Sequence, residues 1–426
     1  MADPGTSRGR QDRTVKVRLS EMRLLMKIII NVVRRRRWRE EEARRRQRRR
    51  RYWVHPINRL RYERGHIGQL YSELRSFPQK FFDFVRMPIN AFDRLLEILS
   101  EHLCRQDTIM RRSITPMERL LITLRFLATG ESFASLHVQF RVGKSTISGI
   151  VRTTCHVIWQ YLQPISMPSP TPEIWLQVTA GFQSVANFPN CIGAVDCKHL
   201  RVRQPPHSGS RHINYRKYFS VVLMAVADST YKFVGIAVGA YGSTEDSRVL
   251  LKSELGRQVL QDQVTLLPPQ PLPGTTDPAP FVMVSDEAFP LMTNLLRPYP
   301  RRRLDARKRV FNMRLSQARC FVEGTFGMLS SKWRVFTSAM QLDEATVDEV
   351  IKAACVLHNY VRDYDSTTMD METQSAFGDQ NVNWGLGRPS NRAMLVRKTF
   401  ADYFMSPEGA VSGQFDSLRD GQPPQE

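Results

Sequence analysis

Between Leu70 and about Leu162 apolar residues recur every three or four positions, the period of helices that bury one face. "FFDFVRMPINAFDRLLEIL" shows the pattern most plainly, with Asn90 placed to cap a helix. "TPMERLLITLRFLATG" sets Thr115 ahead of Pro116 and Glu118, a capping box with proline at the first helical position, and stops on Gly130. "SFASLHVQFRVGKSTISGIVRTTCHVIWQYL" then predicts a short helix, a turn at "RVGK" around Gly143, and a second helix capped by Ser145. Helix, tight turn, helix is the outline of a helix-turn-helix, although pairs of short helices around a glycine occur in any α domain. If the second helix enters a major groove, Lys144, Ser145, Thr146, Ser148 and Arg152 are the residues that would reach DNA.

The proline-rich segment "PISMPSPTPEIW" (164–175) predicts a domain boundary, and after one further helix the texture changes. "CIGAVDCKHLRVRQ" (191–204) reads as a strand. "YFSVVLMAVADSTYKFVGIAVGAYG" (218–242) reads as two strands joined at Asp228–Thr230, with Asp228 as the turn residue. "EDSRVLLKSELGRQVL" is helical, "TLLPPQPLPGTTDPAP" a proline-rich loop, and "FVMVSDEAF" (281–289) a buried strand. "RKRVFNMRLSQARCFVEGTFGMLSSKW" and "TVDEVIKAACVLHNYVRDY" predict two more helices. Three strands, a helix, a strand and then helices give a mixed α/β sheet with helices on its faces.

Charge adds a prior on the partner. The 426 residues carry a net charge of +21, and residues 1–65 hold most of it, with 22 Lys/Arg against 7 Asp/Glu. A strongly basic leader on a mildly basic globule points to a polyanion. "RRRQRRRR" contributes Arg44, Arg45, Arg46, Arg48, Arg49, Arg50 and Arg51, the composition of a nucleic-acid or nuclear-import segment or else of a solvated charge run. The six cysteines are scattered without a CxxC pair and read as buried thiols of a reducing compartment. "LLMKIIINVV" is broken by Lys27 and followed by arginines, so a membrane span and a signal peptide are both poor readings, and an intracellular location is expected.

Three carboxylates stand out by position. Asp196 lies in an apolar strand between Val195 and Cys197, where a charge is costly unless paired or bound to a cation. Asp286 ends the strand "FVMVSD", where a chain leaves a sheet and sites are usually built. Glu323 sits on the long helix that follows, among basic residues. Carboxylates converging from three segments suit two Mg²⁺ ions, which would activate water and stabilise the leaving oxygen of a phosphoryl displacement. Isolated acids at strand ends are also ordinary turn and cap residues, so spacing leaves both readings open.

"GAVDCKHL", "SDEAFPL" and "VEGTFGMLSSKWRVF" with "ACVLHNY" resemble the motifs of the PIF/Harbinger transposases and the nucleases domesticated from them. "RRYWVHPI", "KFFDFVRM", "GKSTIS", "GSTEDSRVL" and "RPSNRAMLVRKTFADYF" are similar to further family segments, so the likeness spans roughly residues 50–405. The resemblance implies DDE chemistry on an RNase H-like fold. It makes Asp196, Asp286 and Glu323 the catalytic, metal-holding acids of a two-metal site, with Mg²⁺ as cofactor and Mn²⁺ able to replace it. One departure is local: the family usually has glycine before its second Asp and a small residue after it, where this chain has Ser285 and Glu287, the latter a further carboxylate beside the metal site that could assist it, point away or perturb metal affinity. Asp246 matches an acidic family position and reads first as a helix N-terminal cap or a residue supporting the site, with metal ligation as the alternative. His199 either orients a ligand or DNA or is structural. Arg319, one helical turn before Glu323, could pair with it or grip a phosphate. Lys332 is a further base near it, while His358 and Asn359 read as packing residues.

Four segments are therefore expected: a basic leader (1–65), an all-α DNA-binding domain with a helix-turn-helix (66–165), an RNase H-like α/β catalytic domain (175–365), and a tail with a short helix (366–426). The expected function is a DNA transposase that hydrolyses phosphodiester bonds at element ends and transfers the strand to target DNA. The resemblance further implies a Myb/SANT-like partner protein, a homo-oligomer and a nuclear location. A domesticated nuclease or non-cleaving DNA-binding regulator on the same fold is the rival. A metal phosphohydrolase acting on small molecules is a weaker one, since the basic leader counts against it.

Overall fold

Local chemistry sets most helix ends. The Glu118 N–H donates to the Thr115 hydroxyl at 3.3 Å, and the Thr115 N–H donates to the Glu118 carboxylate at 2.8 Å, which makes the capping box complete. Gly130 closes the same helix in the left-handed region at φ 69°. Thr171, Asp305, Asp343 and Ser390 cap four later helices through their side chains.

The computed structural model describes residues 26, 29–41, 52, 54–109, 112–206, 208–254, 256–257, 267–302, 304–364, 389–412 and 414. It divides into two compact units, Met1–Arg59 and Leu60–Glu426. In the first, helix α1 (29–41) leaves Ile29, Ile30, Val32, Val33 and Trp38 exposed and carries an Arg36–Glu40 pair at 3.2 Å. The run Arg44–Arg51 lies outside the described residues.

After a one-turn helix at Arg61–Arg64 the second unit continues with α2 (His66–Ser76), α3 (Pro78–Val85), α4 (Ile89–Leu103), α5 (Pro116–Thr129), α6 (Phe133–Phe140), α7 (Lys144–Ser166) and α8 (Pro172–Ala186). The sheet follows with β1 (Cys191–Arg201), β2 (Ser220–Ala227) and β3 (Phe233–Tyr241), then helix α9 (Asp246–Lys252). Short strands β4 (Val282–Val284) and β5 (Leu295–Leu296) precede α10 (Ala306–Lys332), α11 (Glu344–Arg362) and α12 (Asn391–Tyr403). Strand order is β3-β2-β1-β4-β5, antiparallel from β3 to β1 and parallel from β1 to β5. Every residue of β2 is buried, so both faces of the sheet centre are covered, as its unbroken apolar run requires.

Three local expectations change. Pro88, already extended at ψ 160°, takes the cap position before α4, so Asn90 sits in the first turn and accepts from the Ala91 N–H at 2.9 Å. Gly143 rather than Ser145 precedes α7, and Ser145 is an exposed helical residue. The strand expected over 281–289 pairs only at Val282–Val284, since the chain then leaves the sheet and turns at 287–288.

The proline-rich stretch does not divide the second unit. Helix α7 runs through Pro164 and packs its buried face, Ile147, Ile150, Val151, Cys155, Ile158 and Leu162, against α5 and α11. Asn359 of α11 then ties the parts together: its carbonyl accepts from the Phe233 N–H at 2.8 Å, and its amide donates to Phe233 O at 2.8 Å and Ser166 O at 2.9 Å. His358 bonds Tyr231 O at 2.8 Å, so this pair packs helix against sheet as expected. The segments expected as 66–165 and 175–365 thus share one core. Helix α12 joins it as well, with Phe400 and Phe404 fully buried against Phe188 and the Arg314 guanidinium donating to Gly409 O at 2.9 Å. Phe400→Ala should therefore cost about 3–5 kcal/mol, the usual price of a large core truncation. Urea unfolding measures this, and a loss under about 1 kcal/mol would mean that α12 is not part of the core.

Candidate active site

Strand β1 pairs in parallel with β4 through Gly193–Met283 and Ala194–Val284, and β4 ends there while β1 continues to Arg201. Carrying the register two residues further sets Asp196 beside Asp286, just past the carboxyl end of β4. Residues 196–199 of β1 are correspondingly half-buried, whereas 191–195 are fully buried. A recess therefore opens where one parallel strand stops and its neighbour runs on, the place where an α/β sheet builds sites.

Backbone donors fix both acids. Asp196 accepts from the Cys197 N–H at 2.7 Å, and Asp286 accepts from the Ala288 N–H at 3.0 Å. Ser285, in place of the glycine expected from the resemblance, is buried and donates its hydroxyl to Leu296 O at 3.2 Å, which holds β4 against β5. Burial and the neighbouring Asp286 charge push the Asp196 carboxyl up to about 8, against the opposing pull of Arg319.

The third acid of the recess is Asp246. It opens α9 after Glu245, and burial followed by the Asp286 charge raises its carboxyl to about 7, while the Cys197 thiol bonds it. Glu323 stands apart from these three. Its carboxylate is 43% exposed and accepts from Arg319 Nη2 at 2.9 Å. Arg319, with its side chain only 14% exposed, thus holds Glu323 while its charge also acts on Asp196. Gly324, next to Glu323, lets α10 approach the sheet, since a Cβ there would lie 2.7 Å from the Tyr231 ring. In sequence Asp246 looks like any acid in a first helical turn. Only the packing of α9 brings it to Asp286.

The other expected residues are placed as follows. His199 lies on the β1 face opposite Asp196, bonds Ser220 Oγ at 3.1 Å, and stands edge-on to Tyr215 with centroids 5.6 Å apart. Burial, then Arg216, lowers its pKa to about 4, so it is neutral at ordinary pH. Glu287 is exposed, and its backbone carbonyl accepts from Arg297 at 3.4 Å. Lys332 reaches toward the Phe82 ring at 6.0 Å, and Asp228 ties the β2–β3 turn through the Thr230 and Lys232 N–H groups. Far along the chain, Lys144, Ser145, Thr146 and Arg152 are exposed and Ser148 half-buried on the amino-terminal part of α7, behind a three-residue turn with Arg141 at φ 52°.

A family model described as DDE superfamily endonuclease matches residues 195–359, which contain Asp196, Asp246, Asp286 and Glu323. Over 275 residues the chain is 28% identical to the ALP1-like protein of Arabidopsis thaliana, covering 62% of this chain and 65% of that one. It is 24% identical to the Arabidopsis protein named antagonist of like heterochromatin protein 1, covering 66% and 73%. It is 26% identical to HARBI1 of Rattus norvegicus, named as a candidate nuclease, covering 62% and 72%. These matches support a Harbinger-related DDE family assignment for this chain. No solved structure matches it.

DDE endonucleases use divalent metals, and this chain supplies hard carboxylate oxygens, the donor set such ions prefer. The mutual repulsion of Asp196, Asp246 and Asp286 is what a divalent cation relieves. Among the described residues no three His, Cys, Asp or Glu side chains already stand at metal-holding distances. Without a cation, Asp196 and Asp246 bind their protons more tightly folded than unfolded, so folding stability is full below about pH 4 and falls as pH rises through 7 to 8. In chelator the melting temperature should accordingly drop between about pH 5 and pH 8, and Asp196→Asn should flatten that slope. Scanning fluorimetry reads both; an unaltered slope in the variant would show that Asp196 is not the titrating group.

Proposed function

We propose that this protein is a divalent-metal-dependent DNA endonuclease whose acids are Asp196, Asp286 and Glu323, with Asp246 as a further donor. The observation that carries the reading is the register that sets Asp196 beside Asp286 at the open edge of β1, with Asp246 closing on them. Mg²⁺, or Mn²⁺ in its place, would supply water activation and charge neutralisation at the phosphate. The chain's own part is to hold the acceptor oxygens rigidly: β1 and β4 fix two acids, and α9 brings a third. Arg319 keeps Glu323 ready on α10 and offers a cation to a phosphate.

Transposition, with strand transfer by a freed 3′-hydroxyl at the same site, is the fuller activity we infer. Lys144, Ser145, Thr146, Ser148 and Arg152 would then read DNA, and Arg44–Arg46 with Arg48–Arg51 would grip its backbone. A nuclear location, a Myb/SANT-like partner and a homo-oligomer that brings two ends together belong to the same proposal. A second reading, a DNA-bound regulator that does not cleave, is favoured by the relative named as an antagonist of a heterochromatin-like protein.

Cleavage of a labelled element end separates them. With Mg²⁺ or Mn²⁺ the unmutated protein, with its partner, should cut, and Asp196→Asn or Asp286→Asn should lose at least about a hundredfold, the upper end of what losing even an outer metal partner costs. Equal cutting by wild type and variants would end the catalytic reading. Glu323→Gln should lower cleavage as far as Asp286→Asn does, while Glu287→Gln, at an exposed position, should leave it unchanged.

A further inference from the structure

Between Cys197 and Ala227 the chain contains no Asp or Glu but does contain Lys198, Arg201, Arg203, Arg211, Arg216 and Lys217. Its middle is a hairpin rather than a loose loop. Ile213 bridges Phe219, the Asn214 N–H donates to Tyr218 O at 3.0 Å, and the Ser220 N–H donates to His212 O at 2.8 Å. Asn214, 4% exposed, turns its side chain back into the tip and accepts from the Arg216 N–H at 3.0 Å and the Tyr218 N–H at 3.2 Å. Lys217 completes the turn in the left-handed region at φ 59°, and its N–H donates to Asn214 O at 2.9 Å. Below the tip His212 is 2% exposed and reaches Glu344 at 3.3 Å, which anchors the hairpin to α11.

The anchored turn presents three consecutive exposed side chains, Tyr215, Arg216 and Lys217. Tyr215 is 49% exposed, with the Arg216 guanidinium 5.4 Å from its ring centre and His199 at its edge. An aromatic ring half open to solvent, with a guanidinium over it and a neutral imidazole at its edge, has a face free for a flat partner.

We propose that this hairpin tip is a nucleic-acid contact in which Tyr215 stacks on an unpaired base, while Arg216 and Lys217 hold the flanking backbone. The inference rests on the DNA reading of the site and names the form of DNA it takes. Aromatic faces accept any base, and neighbouring cations add backbone affinity without sequence preference. The rigid turn means the ring is already in place before DNA arrives, so little side-chain freedom is lost on binding.

The test is made in chelator with the full chain, so that cleavage does not enter. One probe is a labelled duplex, and the other is the same duplex with a single unpaired 2-aminopurine. The unmutated protein should bind the second roughly tenfold more tightly and quench its fluorescence. Tyr215→Ala should remove both effects while leaving duplex affinity and the melting temperature unchanged, and Tyr215→Trp should keep both. Arg216→Ala with Lys217→Ala should weaken both probes equally and make the salt dependence shallower by about two units of slope. Equal binding of the two probes by the unmutated protein, or a preference that survives Tyr215→Ala, overturns the proposal and leaves the endonuclease reading standing. Failure to bind either probe removes the DNA reading itself.

Discussion

The parallel pairing of β1 with β4 is the constraint on which the rest of this protein depends. Two apolar strands run side by side until β4 stops, and two residues further in register both chains carry an aspartate. Neither strand could carry its acid one residue earlier, because that position is fully buried in the sheet. One residue of slip would also turn Asp196 to the opposite face. The hydrophobic register therefore sets the spacing of the acids. Its consequence is like charges held close in a protein-lined recess, with Asp196 and Asp246 kept from ionising at their ordinary pH.

Such a cluster is unfavourable for folding and has to be outweighed elsewhere. The stabilisation comes from a core that runs without a break from the amino-terminal helices through the sheet to α12. Helix α11 is its centre. It carries Asn359, which saturates backbone groups of both β3 and the end of α7, and Tyr360, whose hydroxyl donates to Ala91 O at 2.9 Å. The exposed amino-terminal face of α7 and the acid recess are consequently parts of one body, each held by the same helix.

The basic residues of the second unit are used unevenly. Arg314 is buried as a strut, and Arg75 is committed to Asp93 at 2.6 Å. Arg319 is shared between Glu323 and the Asp196 field. By contrast Lys144 and Arg152 on α7 and Arg211, Arg216 and Lys217 on the hairpin are exposed, and no carboxylate lies within the hairpin segment to neutralise its bases. At the recess itself the cation shown beside the acids is Arg319, an arrangement that suits a metal-bridged phosphate.

Much of this was legible along the chain. The capping box at Thr115, the turn at Asp228, the strands around Asp196 and before Asp286, and the long helix bearing Glu323 all follow from period, caps and turn residues within a few positions of one another. Those signals are local, and local structure obeys them. The salt bridge from Arg319 to Glu323 was equally readable, being one helical turn apart on one face. Tertiary structure alone decided the rest. A proline-rich stretch signals a boundary, but the shared core of α7 and α11 overrides it, because burial energy acts between residues nearly two hundred positions apart. Asp246 and Asp286 repel each other across forty positions, and Tyr215 meets His199 across a hairpin whose turn depends on the inward side chain of Asn214. The sequence by itself determined which residues could do chemistry and on which kind of element each stands. Which of them share a recess was settled by strand register and helix packing, since distance in space is a property of the folded core.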